Sequence, residues 1–358
     1  MTSQVAVLRT RPESVVADYG RLLRLAKYDQ VLAREQDLIL KLNLSWTKYF
    51  PACSSQPWQV DGVVKTLLDD GYDRRRIFPV ENKTVVTDPV KGARNNKWLS
   101  VLERHGLPFI PLTDVEWTVY TFKTPLLRLN DLFPEGIEVP KMYVGRNMCQ
   151  LPSVKTHGHT VTTGAIKNAF GGLLKEVRHY AHEFIHEVMV DLMLMQRELH
   201  PGVFAIMDGT VMGDGAGPRT MIPREGNLLL ASADQVAIDA IAAQIMGFEP
   251  LAIPYLRMCH DRGLGVADPR RIELVGDVDA AAVRMGFRTR RSPVIWGDQL
   301  IRRGPLRPLK RLLLHSPLVI WAPFASNVYH DFLWYPTIGR ARRRAFAATP
   351  WGRLFDAY

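Results

Sequence analysis

Apolar residues fall along this chain in two rhythms. Short apolar runs, QVAVLR (4–9), DLILKLNL (37–44) and RIFPVE (76–81), read as buried strands. Between them apolar positions recur at helical spacing. Val15, Val16, Tyr19, Leu22, Leu23 and Leu25 share one face of a helix over 13–27, and further helices are expected over 59–71, stopped by Gly71, and over 96–105. Another strand follows at 108–112. Strand and helix alternate with short connections, and that pattern predicts an α/β fold, a mainly parallel sheet covered by helices.

The rhythm loosens over 114–141, where 117–122 reads as an added strand and 125–140 as an excursion. A strand over 142–151 restores it, followed by a long helix over 176–198 and a strand over 203–208. Next come a glycine-rich loop over 209–218 (GTVMGDGAGP), a strand over 227–232, and a helix over 234–246 with Asp234 as its cap and Gly247 at its end. A helix over 251–262 and a strand over 271–276 complete the body. Residues 1–284 thus form an α/β body, either in one piece or as two Rossmann-like halves meeting near 141–172. From 285 the character changes to a basic, aromatic-rich C-terminal extension, 285–358.

Charge sharpens that boundary. The net charge is +10, and residues 285–358 hold 13 Lys/Arg against 3 Asp/Glu, so the extension carries the whole excess. A balanced body argues against a nucleic-acid footprint across the fold. The extension also holds 12 of the 33 aromatic residues. Arginine clusters interleaved with aromatics suit contact with an anionic membrane surface or lipid. They equally suit a tail that wraps the body, its aromatics completing the core. The 3 cysteines, Cys53, Cys149 and Cys259, are far apart and lack CxxC spacing, so neither a disulfide framework nor an iron–sulfur cluster is expected. The N-terminus lacks a signal-peptide pattern, and no run reaches the ~18 apolar residues of a membrane span. A cytoplasmic protein, free or peripheral to the membrane, is the expectation.

Candidate chemistry concentrates in 151–172, LPSVKTHGHTVTTGAIKNAFGG, directly after an expected strand. Ligands in open parallel sheets collect beyond the carboxyl ends of strands. Asn43, after the second strand, falls at the same end. Gly164 is placed to start a helix whose N–H groups would bind phosphate or carboxylate. Lys155 and Lys167 add positive charge, Thr162, Thr163 and Asn168 add hydrogen-bonding groups, and His157 is a candidate for proton transfer. His159 reads as solvent-facing. The string HEFIH places His182 and His186 one turn apart with Glu183 between them, as zinc-binding helices do, and His179 lies on the same side. These histidines are either metal ligands or the polar face of a helix bordering the cleft. Asp208, just before the glycine-rich segment, and Asp214, within it, are candidate bases or ligands. Asp239, in the apolar setting VAIDAIAA, needs a partner, since an unpaired buried carboxylate is costly; Lys155 or Lys167 would supply it. Cys53, in the loop after Asn43, would need a depressed pKa to act as a nucleophile.

Several of these segments together resemble the domain of unknown function 362 family. The matching pieces are LKLN (40–43), LPSVKTH and TTGAIKNAFG (151–171), IMDGTVMGDGAGP (206–218), LLLASADQVAIDAIAAQIMG (228–247) and GLG (263–265). The resemblance covers roughly 38–277 and implies a fold and a site, but no activity. Many members of that family carry ferredoxin-like cysteine clusters, which this chain lacks. The functional expectation is an enzyme that binds an anionic small molecule, with acid/base or divalent-metal-assisted chemistry. His157, Lys167, Asp208 and Asp239 are its expected catalytic groups, and Asn43, Lys155, Thr163, Gly164 and Asn168 its ligand contacts. The alternative is a non-catalytic ligand-binding or accessory protein attached to a membrane surface by the extension.

Overall fold

The computed structural model describes residues 3–175, 181–302, 304–314, 316 and 321–358. Its centre is a ten-stranded mixed sheet. Ten strands enter it: β1 (Ser3–Arg9), β2 (Leu38–Lys41), β3 (Ile77–Glu81), β4 (Ile110–Pro111), β7 (Asn147–Gln150), β8 (Ser153–His157), β9 (Val161–Thr162), β10 (Val203–Ala216), β11 (Thr220–Ser232) and β12 (Ile272–Gly276). The remaining two, β5 (Trp117–Tyr120) and β6 (Ile137–Pro140), form a separate antiparallel pair. Along the sheet the order is β12-β1-β11-β10-β7-β2-β3-β4. From β10 to β4 every pairing is parallel. β11 runs antiparallel to both of its neighbours. The fold is α/β, with helices on both faces burying two apolar clusters.

Where local chemistry sets the elements, they fall where the sequence places them. β2 is buried along its whole length, as a strand covered on both faces must be. The helix Gln235–Met246 opens with Asp234, whose carboxylate accepts from the Val236 and Ala237 N–H groups at 2.8 and 3.0 Å, and it ends at Gly247 with φ of 103°.

Two expectations are corrected. The glycine-rich stretch 209–218 is mostly strand and not a loop: β10 runs to Ala216 and pairs with β11 along a long hairpin, and of the stretch only Gly217 and Pro218 fall in the turn. Two of its glycines serve close approach to neighbouring strands. A Cβ on Gly213 would stand 2.3 Å from Met221 Sδ, and one on Gly217 would stand 1.8 Å from the Thr156 carbonyl oxygen. The helix expected over 176–198 is described only from Ile185 to Leu199, after a 3-10 turn at 181–184, and 176–180 lie outside the described residues.

The extension packs against the body. Trp351 packs beside Trp58, ring centroids 5.2 Å apart and tilted by 38°, and its indole donates to Asn227 at 2.7 Å. Phe355 stacks on Tyr49 at 3.6 Å, and Trp46 donates to Asp331 at 2.7 Å. Trp334, Tyr335, Phe346, Trp351 and Phe355 are buried in the same apolar cluster as Trp46 and Trp58. Other aromatics of the extension, Trp296, Phe324 and Phe332, stay exposed. Among the described residues, no helix is long and apolar enough to cross a membrane.

Candidate functional site

Parallel strands β2, β3 and β7 end on one side of the sheet, and their last residues make a polar floor. Lys41 closes β2 and Glu81 closes β3. Both are buried, and the Lys41 ammonium donates to Glu81 Oε1 at 2.7 Å and to the Leu42 carbonyl at 2.6 Å. A charge pair removed from water is tolerated only when both partners are in place. Glu81 Oε1 also accepts from the Asn82 N–H at 2.8 Å, whereas its second oxygen, Oε2, accepts from no described group. At the end of β7, Gln150 accepts from Asn168 Nδ2 at 2.8 Å. Asn168 Oδ1 in turn accepts from Asn43 Nδ2 at 3.2 Å, and the Asn43 side-chain carbonyl accepts from the Lys155 ammonium.

Over this floor lies a cavity of about 490 Å³, a size suited to a small-molecule ligand. Lys41, Asn43, Glu81, Lys167 and Asn168 line it from below, and His157, His159 and His182 from the side. The roof is the extension: Val294, Ile295, Leu314, Ala322 and Pro323 supply apolar surface, while Asp298, Arg302 and His330 supply polar groups. Arg219, from the β10–β11 turn, completes the rim. Body and extension thus face each other across the cavity, with an aliphatic patch on the extension opposite the lysines and imidazoles of the body.

The histidines have defined surroundings. His157 is buried at the end of β8. Burial holds its imidazole well below its ordinary pKa, and the basic side chains around it, Lys167, His159, His182 and Lys155, oppose a further positive charge, so the ring is neutral at pH 7. Its Nδ1 accepts from the His159 N–H at 3.2 Å, which leaves the neutral ring's proton on Nε2. His159 is not turned to solvent. Its ring stacks on His182 at 5.1 Å and its Nε2 lies 3.8 Å from Asp298. Opposite, burial beside Arg219 lowers His330 to about 3, and burial lowers the Arg219 guanidinium to about 10, still charged at pH 7.

Other candidates are brought elsewhere. Lys155 lies behind the cavity wall, where burial lowers it to about 7; it holds Asn43 and donates to the Cys53 carbonyl at 2.7 Å. The Thr163 hydroxyl turns to the Lys155 carbonyl at 3.2 Å, and that of Thr162 lies 3.1 Å from the Tyr255 hydroxyl. Gly164 does open a helix, Ala165–Leu173, but the group at its N-terminus is a carboxyl of the protein itself. Asp239 accepts from the Ala165 and Ile166 N–H groups at 2.7 and 3.2 Å. The partner expected for Asp239 was a lysine; the structure supplies a helix N-terminus instead. Gly164 is required by that contact, because a Cβ there would stand 2.2 Å from Asp239 Oδ1. Burial raises Asp239 to about 8 despite the two donors.

Asp208 is fully buried among four donor contacts: Tyr19 at 2.7 Å, Trp58 at 3.0 Å, and the Thr210 N–H and hydroxyl at 3.0 and 2.6 Å. Asp214 pairs with Arg224 at 2.8 Å. Neither Asp208, Asp214 nor Asp239 lines the cavity. His182 and His186 turn to different neighbours, His182 to the cavity and His186 to Tyr255 at 6.1 Å. Glu183 between them pairs with Lys310 of the extension. His179 lies outside the described residues. Among the described residues, no three His, Cys, Asp or Glu side chains stand close enough to hold a metal ion. Burial pushes the Cys53 thiol up to about 12, which removes the thiolate a nucleophile needs.

Sequence reasoning missed Lys41, Glu81, Arg219, Asp298, Arg302 and His330. A signal existed for two of them. A lysine and a glutamate, each ending an apolar strand, are costly to bury and imply each other. The other four reach the cavity from the hairpin turn and the extension, at distances along the chain that no local pattern reports.

Comparison with known proteins places the chain in a family. The family described as domain of unknown function (DUF362) matches residues 38–244, more than half of the chain, and the chain belongs to that family. A thylakoid-associated protein of Synechocystis sp. is 25% identical over 179 residues, which cover 48% of this chain and 52% of that protein. The chain therefore spans about half the length of this curated relative. Among solved structures, a protein from Thermotoga maritima superposes with a TM-score of 0.41 at 12% identity, covering 64% of this chain and 57% of that one.

Proposed function

We propose that the chain is an enzyme acting on an anionic small molecule with an apolar portion, held in the cavity between body and extension. The observation that carries this reading is the division of the cavity wall. Lysine, imidazole and amide groups cluster on the body side, and the aliphatic Val294, Ile295, Leu314, Ala322 and Pro323 stand opposite them on the extension side, among Asp298, Arg302 and His330. Lys167 and Arg219 would hold a phosphate or carboxylate by charge-assisted hydrogen bonds. His157, neutral and protonated on Nε2, would donate to a ligand carbonyl or phosphoryl oxygen, and Glu81 Oε2 would accept a proton from the ligand. A divalent ion would need ligands from the substrate as well, since no three described side chains converge on one point. The relative's thylakoid association and the basic extension support a membrane surface as the place where this happens.

Isothermal titration with octyl phosphate, octanol and inorganic phosphate tests the reading. Octyl phosphate should bind most tightly, and Lys167→Ala should weaken it by roughly 10–100-fold, the loss of one charged hydrogen bond. Absence of binding, or equal binding by the variant, would overturn the proposal. Mass spectrometry of a co-purified ligand, before and after prolonged incubation with the protein, separates catalysis from carriage. A chemically unchanged ligand would assign the non-catalytic alternative.

A further inference from the structure

The roof of the cavity has a second face. The helix Trp321–Asn327 continues directly into Val328–Gly339, wound as a π-helix, and then into Arg340–Ala347. Ala322, Ser326 and His330 recur along its inner side and line the cavity. Its outer side carries Phe324 and Phe332, 68% and 73% exposed, with Trp321 and Leu333. Side chains that could have been buried like their neighbours Trp334 and Tyr335 stand instead in solvent. The helix Pro293–Arg302 repeats the arrangement, with Val294, Ile295 and Asp298 toward the cavity and Trp296 outward. The Trp321 indole donates to the Leu313 carbonyl at 3.1 Å, which joins the exposed Leu309 and Leu312 to the same region.

Charge says what covers this face. Arg340, Arg343 and Arg344 are exposed where the aromatic stretch ends, and Arg307 is exposed next to Leu306 and Leu309. The extension's net charge of +10, from 13 basic against 3 acidic residues, has no counterweight within it. Exposed aromatic and leucine side chains flanked by arginines match an anionic bilayer, where rings sit among headgroups and arginines meet phosphates.

We propose that the outer face of the 321–344 helix docks on an anionic phospholipid surface, and that the cavity beneath it takes its ligand from that leaflet. This rests on the cavity being a ligand site and narrows its substrate to a bilayer-resident amphiphile with an anionic head. The roof is then the element that touches lipid on one side and ligand on the other. A headgroup reaching past it would meet Lys167 and Arg219, while the chain followed Ile295, Leu314 and Pro323.

Co-sedimentation of the full chain with phosphatidylcholine vesicles, and with vesicles containing phosphatidylglycerol, tests the docking. The chain should sediment with the anionic vesicles and much less with the zwitterionic ones. Phe324→Ser with Phe332→Ser should weaken sedimentation roughly ten-fold through lost apolar burial, with thermal unfolding unchanged because both rings are exposed. Arg340→Glu with Arg344→Glu should weaken it at least as much, and binding should fall with added salt. No binding to anionic vesicles, equal binding to both vesicle types, or an unaltered phenylalanine variant would overturn the proposal. So would light scattering that shows the wild-type chain self-associating through these rings and the serine variant monomeric. Titration of the same variants with octyl phosphate keeps the two readings apart. Retained octyl phosphate binding with no vesicle binding sinks the docking alone, and the reverse sinks the cavity reading.

Discussion

Asp239→Asn keeps the side chain's shape and removes its ability to ionise. In the native chain the carboxyl group is buried, 2.7 Å from the Ala165 N–H and 3.2 Å from the Ile166 N–H, and burial raises it to about 8. In the unfolded chain it titrates near 3.9. A group whose folded pKa is raised contributes stability that is complete below about 4 and is lost as pH rises through about 8. Within that window the loss approaches 1.36 kcal/mol per pH unit, so from pH 5 to pH 8 the wild type should lose about 4 kcal/mol that the asparagine variant keeps. Urea unfolding of both chains, followed by tryptophan fluorescence at pH 5, 6.5 and 8, measures this as the difference between them. His157, whose folded pKa is lowered, acts in the opposite direction, but it is present in both chains and drops out of the difference. A difference that stays constant with pH would refute the reasoning. So would a variant that becomes relatively less stable as pH rises, because the helix N-terminus would then be holding an ionised carboxylate.

The Lys41–Glu81 pair, buried under the cavity, should tolerate loss of one partner poorly. Lys41→Met should cost about 3–5 kcal/mol in urea unfolding, and Lys41→Met with Glu81→Gln should recover part of it, since the uncompensated charge is then gone. No recovery in the double variant would argue against a charge pair. Cys53 should resist iodoacetamide at pH 8 in the native chain, given its buried position and a thiol at about 12, and should react once urea unfolds the protein. Mass spectrometry of the intact chain reads the alkylation, and rapid labelling of the native chain would contradict the burial.

Strands and helices of the body were largely legible in the chain, because they rest on local causes. LILK and RIFPVE are apolar runs too short for helices, and Asp234 and Gly247 carry their capping chemistry in their own side chain or lack of one. The failures came where one segment is shaped by another. GTVMGDGAGP has turn composition, yet it is strand as far as Ala216, with Gly213 giving room to Met221 and Gly217 to the Thr156 carbonyl. HEFIH has metal-site spacing, yet Glu183 is engaged by Lys310, 127 residues away along the chain. Gly164 was read as an anion-binding helix start, and its N–H groups are taken by the Asp239 carboxyl instead.

The stretch 151–172 by itself determined that a polar wall would stand after a buried strand, since only a site or a surface accommodates that many polar side chains beside apolar ones. His157, Lys167 and Asn168 are part of that wall, and Asn43 joins them from the neighbouring strand. Which groups line the cavity and which face inward was decided only by tertiary packing. Lys155 is turned behind the wall to Asn43, Asp208 into the Tyr19–Trp58 cluster, and Asp239 onto a helix end. The roof was decided there too, because the extension reaches the cavity from well over a hundred residues away in sequence. Hydrophobic periodicity reports the surface an element must bury, but the partner that buries it is settled only when distant segments meet.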